Sequence, residues 1–400
     1  MQSLTRTQLT ELASKADFVG FGAGEFGEKT LGLLPGRFSY FVDNHYENFT
    51  NPWLGIEVAP PCKLAKEPHT TVVIICSEHY VAIERQIKAI NSNLHCFLSP
   101  LLKDYELQRG IIECSQALLV SSYHVSGGLY LVNPRDRHVQ LLVQGSFRGI
   151  AQANARLFAC DSFGSVWEIL QMNPFSTRCI FRPSEHCDAH GLTYWPKEDS
   201  LLMIQTRFDR IVKISLSTLE SQQLFSGPRA ATGSDRHHLN DLCLVEDTLF
   251  FSLFSPSGWW RQGILDGSIC ALDLRSQRVS TVMQGLAHPH SVRFIDGQLV
   301  VLDSSRGQIL SGSNQRLATL PGFLRGLWGG NSIAYVGQSR HRRLELCRDS
   351  DNISLDSGVH VIDLSHRLSR FIPLPDLCDV YDITNLQDGD FWVDPKSKGV

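Results

Sequence analysis

Six short phrases of this chain each place a polar residue just before a small or acidic one: Arg148-Gly149, His190-Gly191, Asn240-Asp241, His290-Ser291, Arg325-Gly326 and Tyr381-Asp382. Small-molecule sites are built from such side chains. Imidazoles exchange protons near neutral pH, guanidinium groups hold carboxylates and phosphates in a fork, and amides or phenols both donate and accept. His190 and His290 are the candidate acid–base residues. Arg148 and Arg325 are candidates to hold an anion or a developing negative charge, and Asn240, Tyr381 and Asp382 complete a binding ring. His190, Asn240, His290 and Asp382 also offer the nitrogen and oxygen atoms that a divalent metal takes. A single polar residue at a strand start often bonds only a neighbouring strand or water. The joint occurrence of two His, two Arg, an Asn and an Asp is what points to a site. No Gly-x-Ser-x-Gly elbow accompanies them, so no Ser-His-Asp nucleophile is assigned. Glu185-His-Cys-Asp-Ala-His190 and His237-His238 look metal-like but read as connections between repeats.

A strand repeat must position these residues. Leu118–Tyr123, Leu157–Ser162, Leu201–Thr206, Leu249–Phe254, Leu299–Ser304 and Ile333–Gln338 are apolar phrases that each stop at a small or polar residue. Gly-bearing turns and second strands follow, as at Gly164, Gly307 and Gly358. A strand repeat of roughly 40–50 residues predicts a β-propeller. The last phrase, Tyr381 to Leu386, has little chain after it, and the first lacks an inner strand before it. The two ends complete one blade, which closes the ring at six blades and leaves no open edge. Inner-strand starts then encircle the mouth of the channel, where small residues are expected to permit close approach to a ligand.

Two turns on that same face are expanded. Ser255 to Leu265 supplies Trp259, Trp260 and Arg261; Arg340 to Ser350 supplies Arg340, Arg342 and Arg343. Arg207 and Arg306 lie in the equivalent turns of other blades. Insertions on one face of a repeat protein often build its binding surface, and clustered arginines suit a phosphate, sulfate or carboxylate.

The first hundred residues do not share the repeat. Short strands at Phe18–Phe21, Phe38–Asp43, Thr71–Cys76 and His95–Leu98 alternate with helix-compatible stretches at Glu25–Leu34 and His79–Ile90, the pattern of parallel βαβ units. Gly22-x-Gly24-x-x-Gly27 sits between the first strand and helix, and Asp43 ends the next strand, about where a ribose-binding acid belongs. A nucleotide is the ligand this turn suggests, although four strands fall short of a full dinucleotide fold. The expected organisation is a Rossmann-like domain at 1–100, a linker at 101–116, helical over Lys103–Arg109, and the propeller at 117–400.

A net charge of −4 argues against a general nucleic-acid binder. The N-terminus reads as a short amphipathic helix rather than a signal peptide, and apolar runs such as Val72–Cys76 are too short to span a bilayer. The 11 cysteines are scattered with no Cys-x-x-Cys pair, which suits reduced thiols and a cytoplasmic location.

Two resemblances add to this. Gly-Ala-Gly-Glu-Phe-Gly27, Phe41-Val-Asp-Asn44 and Val73-Ile-Ile-Cys-Ser-Glu-His-Tyr80 resemble the small nucleotide-binding domains attached to sugar-modifying enzymes and methyltransferases. His238-Leu-Asn-Asp-Leu242, Gly258-Trp-Trp-Arg261, Leu286–Arg293, Leu302–Gln308, Leu320–Leu327 and Val336–Arg340 resemble a bacterial propeller family known as a domain of unknown function, over residues 118–390. More distantly, the architecture is similar to lactonase-like propellers, whose axial metal is held by acid and Asn side chains. That implies Asn240 and Asp382 as ligands, with Arg148 standing where a further acid would be expected. The leading expectation is binding or conversion of a small anionic, sugar-derived or nucleotide-linked metabolite. The alternatives are a non-catalytic scaffold that meets a protein partner around Trp259 and Trp260, and a metal-dependent lactonase-like hydrolase.

Overall fold

The computed structural model describes residues 4–113, 115–124, 126–227, 235–341, 353–375 and 377–386. Arg342 and Arg343 lie outside them. The chain divides into two compact units, Met1–Gly110 and Ile111–Val400.

The first unit opens with helix α1 (Arg6–Ala13), started by a capping box in which Thr5 and Gln8 satisfy each other's backbone N–H. A five-stranded parallel sheet follows: β1 (Phe18–Phe21), β2 (Phe38–Val42), β3 (Val58–Ala59), β4 (Val72–Ile75) and β5 (His95–Leu98), in spatial order 3-2-1-4-5. Strands β1 and β4 are buried on both faces, as their unbroken apolar sequence requires. Helix α2 (Glu25–Leu33) follows β1, and helix α3 (Tyr80–Ile90) turns Tyr80, Ile83 and Ile87 to the core. One strand more than expected is present. The two residues of β3 are too short to carry a periodic signal, and β2 holds them through Phe41↔Val58 and Val42↔Ala59. Where a linker was expected, Lys103–Glu113 forms helix α4.

The second unit contains six four-stranded antiparallel sheets, the blades of a propeller. Their inner strands are Phe147–Ala153 (blade 1), Ala189–Trp195 (blade 2), Leu239–Val245 (blade 3), Pro289–Ile295 (blade 4), Phe323–Gly330 (blade 5) and Asp382–Asn385 (blade 6), each touching the next around the ring. Blade 6 closes as the sequence expects. Asp382 pairs with Ser121 and Asn385 with Leu118, so the last strand completes the sheet begun by the first.

Burial falls from axis to rim. In blade 2 the inner strand is largely buried, whereas the outermost, Ser221–Ser226, is mostly exposed. The core lies between blades: Ala151, Phe158 and Cys160 of blade 1 pack on Leu192, Leu201 and Met203 of blade 2. Each fully buried large side chain contributes roughly 1.5–3 kcal/mol. The stability of the ring therefore sits between sheets, and the axial ends are left to polar residues.

Candidate functional site

Every blade but the sixth carries a register shift at its ring residue. Arg148-Gly149 opposes Cys160 alone, His190-Gly191 opposes Ile204, and Asn240-Asp241 opposes Ser252. In blades 4 and 5 the unpaired residue is Ser291 or Gly326, with φ of 52° and 70°. These are β-bulges, which bend a strand and re-aim its side chains. The small residues within them admit a neighbouring strand rather than a ligand. A Cβ on Gly149 would lie 2.5 Å from the His190 carbonyl oxygen, and one on Gly326 would lie 3.1 Å from Asp382 Cα.

The bulges bring the ring residues together. Tyr381 lies under both guanidinium groups, 5.5 Å from Arg148 and 5.3 Å from Arg325. From Tyr381 a chain of contacts runs to His190 (5.5 Å between centroids), His238 (5.1 Å), Phe254 (4.2 Å), His290 (5.1 Å) and Phe323 (5.3 Å). Arg325, 5.0 Å over Phe323, closes the collar. Tyr123 backs Arg148 from the other side at 4.7 Å.

Several polar atoms of this collar, and of Asn240 at the same ring position in blade 3, are buried and have no hydrogen-bond partner among the described residues: Arg148 Nε, His190 Nδ1, Asn240 Nδ2 and Oδ1, His290 Nε2 and Tyr381 Oη. Buried polar groups ordinarily have partners. Arg148 is otherwise tied to Asp188 at 2.8 Å and to the Ala189 carbonyl at 3.0 Å. Asp188 faces His190 Nε2 at 3.5 Å, which puts the ring proton there and leaves Nδ1 an acceptor. His290 Nδ1 donates to the His288 carbonyl at 2.9 Å, which leaves Nε2 an acceptor. Arg325 faces Asp379 at 3.9 Å.

Burial and the neighbouring Arg148 push the His190 imidazole down to about 3, and burial with Arg325 pushes His290 well below its ordinary value. Both rings are neutral hydrogen-bonding groups and weak bases. Burial alone would raise the Asp188 carboxyl, but His190 and Arg148 hold it well below the usual carboxylate range. Burial raises the Tyr381 phenol, which stays protonated.

Asp382 sits apart from the other ring residues. Its carboxylate accepts the Ile150 N–H at 2.9 Å and meets Arg293 at 3.1 Å, and the same guanidinium holds Asp241 at 2.9 Å. Arg293 of blade 4 thus ties blade 3 to blade 6. Burial pushes Asp382 up to about 6, opposed by Arg293 and reinforced by Asp241. Among the described residues, no three His, Cys, Asp or Glu side chains are grouped to hold a metal ion.

The outer candidates divide. Trp260 is buried against His238 at 4.6 Å, whereas Trp259 is 43% exposed. Arg261 pairs with Asp235 at 2.8 Å. Arg306 pairs with Asp303 at 2.8 Å and reaches the Gly285 carbonyl. Arg207 lies over Phe208, and Arg340 is exposed. Sequence reasoning missed Tyr123, Phe254, Phe323 and Asp379, and set Asp188 and His238 aside as parts of connections between repeats. The available signal was an acid, histidine or aromatic residue at the start of an inner strand, as at Asp188, His238, Phe323 and Asp379, or just after a second strand, as at Tyr123 and Phe254.

In the first unit, Gly22, Gly24 and Asp43 line a cleft of about 470 Å³ at the ends of β1 and β4, where the strand order reverses. Asp43 is already engaged: Oδ2 accepts the Ala23 N–H at 2.9 Å and Oδ1 the His45 N–H at 2.8 Å. Gly27 serves packing, since a Cβ there would lie 2.2 Å from the Gly22 carbonyl oxygen. Glu25, Asp43 and Glu78 line the cleft with no Lys or Arg, poor surroundings for a phosphate chain.

The second unit is therefore a six-bladed propeller with a polar collar at one end of its axis. The chain belongs to the family described as Domain of unknown function (DUF4915), whose model matches residues 173–390, a shorter span than the resemblance read from the sequence. No curated protein matches it. Among solved structures it is similar to one described as a crystal structure of a nidogen/laminin complex, at 12% identity and a TM-score of 0.50, over 67% of this chain and 97% of that one. A structure described as a putative gluconolactonase aligns at 16% identity and a TM-score of 0.44, over 59% of this chain and 80% of that one. Among the described residues, no helix is long and apolar enough to cross a membrane.

Proposed function

We propose that the propeller collar binds a small hydroxylated monoanion, a sugar acid or a related hydroxy-carboxylate. The observation that carries this reading is the set of buried atoms on Arg148, His190, Asn240, His290 and Tyr381 that have no partner among the described residues. Their chemistry is mixed. Arg148 Nε donates, the two imidazole nitrogens accept, and the Asn240 amide and Tyr381 hydroxyl can do both. Alternating donors and acceptors suit a row of hydroxyl groups, and the guanidinium groups suit a carboxylate. Each guanidinium already faces one carboxylate, Asp188 or Asp379, so a single negative charge is favoured over a phosphate dianion. Trp260 is packed inside the collar, which weakens the reading of this face as a flat apolar platform for a protein.

Titration calorimetry tests this with gluconate, glucuronate, their neutral parent sugars and sugar phosphates. The sugar acids are expected to bind best, and Arg325→Gln should weaken them roughly ten- to a hundredfold, since a charged hydrogen bond contributes about 1.5–3 kcal/mol. Equal binding of acids and neutral sugars, or an Arg325→Gln protein that binds normally, would overturn the reading.

A further inference from the structure

We infer that His238, oriented by Asp235, is the general base of the collar, and that the expanded turn carrying Trp260 and Arg261 serves to hold this pair. The inference rests on the collar being a small-molecule site and adds a proton-transfer role to it. His190 and His290, the histidines that the repeat marks, are almost fully buried, and neither donates to a well-placed carboxylate: His290 Nδ1 meets a carbonyl, and His190 Nε2 meets Asp188 only at 3.5 Å. His238 differs. Its Nδ1 lies 2.9 Å from Asp235 Oδ1, its side chain is 12% exposed, and its Nε2 makes no hydrogen bond within the described residues.

The carboxylate is itself held. Arg261 takes Asp235 Oδ2 at 2.8 Å, and Trp260 Nε1 donates to the Asp235 carbonyl at 3.2 Å. The ring plane is set by Phe254 at 4.2 Å and Trp260 at 4.6 Å. The backbone is fixed as well: Asp209 accepts the N–H groups of Arg236, His237 and His238, the last with φ of 52°. A base oriented by a third group within hydrogen-bond reach is how an imidazole is kept in one tautomer. With the proton on Nδ1, the Nε2 lone pair can take a proton from a ligand hydroxyl or from water. The imidazolium then faces a carboxylate anchored by Arg261, and the reverse step returns the proton. His190 lies 5.1 Å away, so this base stands beside a ring whose Nδ1 has no partner among the described residues.

Asp363 and His366 supply an internal control. They form the same i,i+3 pair at 2.8 Å, but His366 is 51% exposed on an outer turn. Local sequence can therefore make the dyad anywhere; the bracing by Arg261, Trp260 and Phe254 is what His238 has in addition.

The test is carbethoxylation of the full chain by diethyl pyrocarbonate, in EDTA, mapped by peptide mass spectrometry. His238 is expected to react, and gluconate is expected to protect it while leaving His366 unprotected. In Asp235→Asn, Arg261 still requires an oxygen at its side of residue 235. The amide NH2 is thereby turned toward Nδ1, which forces the proton onto Nε2, and labelling should fall roughly tenfold or more. His366 should label equally in both proteins, which controls for the reagent, and an unchanged near-ultraviolet circular dichroism spectrum reports that the variant is folded. An unreactive His238, an unchanged rate in Asp235→Asn, or labelling unprotected by gluconate that calorimetry shows to be bound would each overturn the assignment. Failure of every sugar acid to bind, with His238 still reactive and dependent on Asp235, would instead overturn the ligand reading alone.

Discussion

Replacing His190 with Gln should remove a defined part of the pH dependence of propeller stability. An ordinary imidazole protonates near 6.5 in the unfolded chain, whereas folding holds His190 neutral until about pH 3. The folded state therefore binds fewer protons than the unfolded state between these values. Stability from this group is fully present above pH 6.5 and drains away as the pH falls. Between pH 7 and pH 5 the loss is about 2 kcal/mol, from the 1.36 kcal/mol that each pH unit carries once the unfolded imidazole is charged. Glutamine does not titrate, so His190→Gln should lose about 2 kcal/mol less than the wild type over this interval. Asp382 and His290 contribute equally to both proteins and cancel in the comparison. Urea unfolding at pH 7 and pH 5, followed by tryptophan fluorescence, measures the difference. Equal losses in the two proteins would mean that His190 titrates normally, and the description of the collar as a buried neutral ring would fail.

Two further perturbations act elsewhere. Arg293→Met leaves Asp241 and Asp382 buried without their guanidinium, so stability at pH 7 should fall by about 3–5 kcal/mol. Burial favours the protonated form of Asp382 and Arg293 opposes it, so without Arg293 the deficit relative to wild type should shrink as the pH is lowered toward 5; a constant deficit in urea unfolding would contradict this. Gly27→Ala should destabilise the first unit by about 1–3 kcal/mol, through the clash with the Gly22 carbonyl. The thermal transition of the propeller should be unchanged, and an unaffected first transition would show that the turn relaxes freely.

Much of the fold is legible in the sequence because it rests on periodicity. The strand phrases recur, the two chain ends each lack half a blade, and Phe18–Phe21 and His95–Leu98 stand out as short apolar runs flanked by turns. What escaped has physical causes. Val58–Ala59 joins its sheet by tertiary pairing, with no pattern of its own. The site was half legible. Arg148, His190, His290, Arg325 and Tyr381 are found by register, since each occupies one repeat position. The bulges are not written in any single blade, so the glycines read as ligand-facing when they face the next strand. Asp382 follows the same register yet turns to Arg293, because the short inner strand of blade 6 pairs from Asp382 onward without a bulge. His238 was set aside as a connection, and its role depends on Asp235, Trp260 and Arg261, which only folding assembles.

The most direct measurement is a crystal structure of the protein with gluconate. The carboxylate is expected against Arg148 Nε and the Arg325 guanidinium, with hydroxyl groups on Asn240, His190 Nδ1 and His290 Nε2. Ordered water bridging each of these atoms, with the sugar acid bound elsewhere or not at all, would contradict this placement.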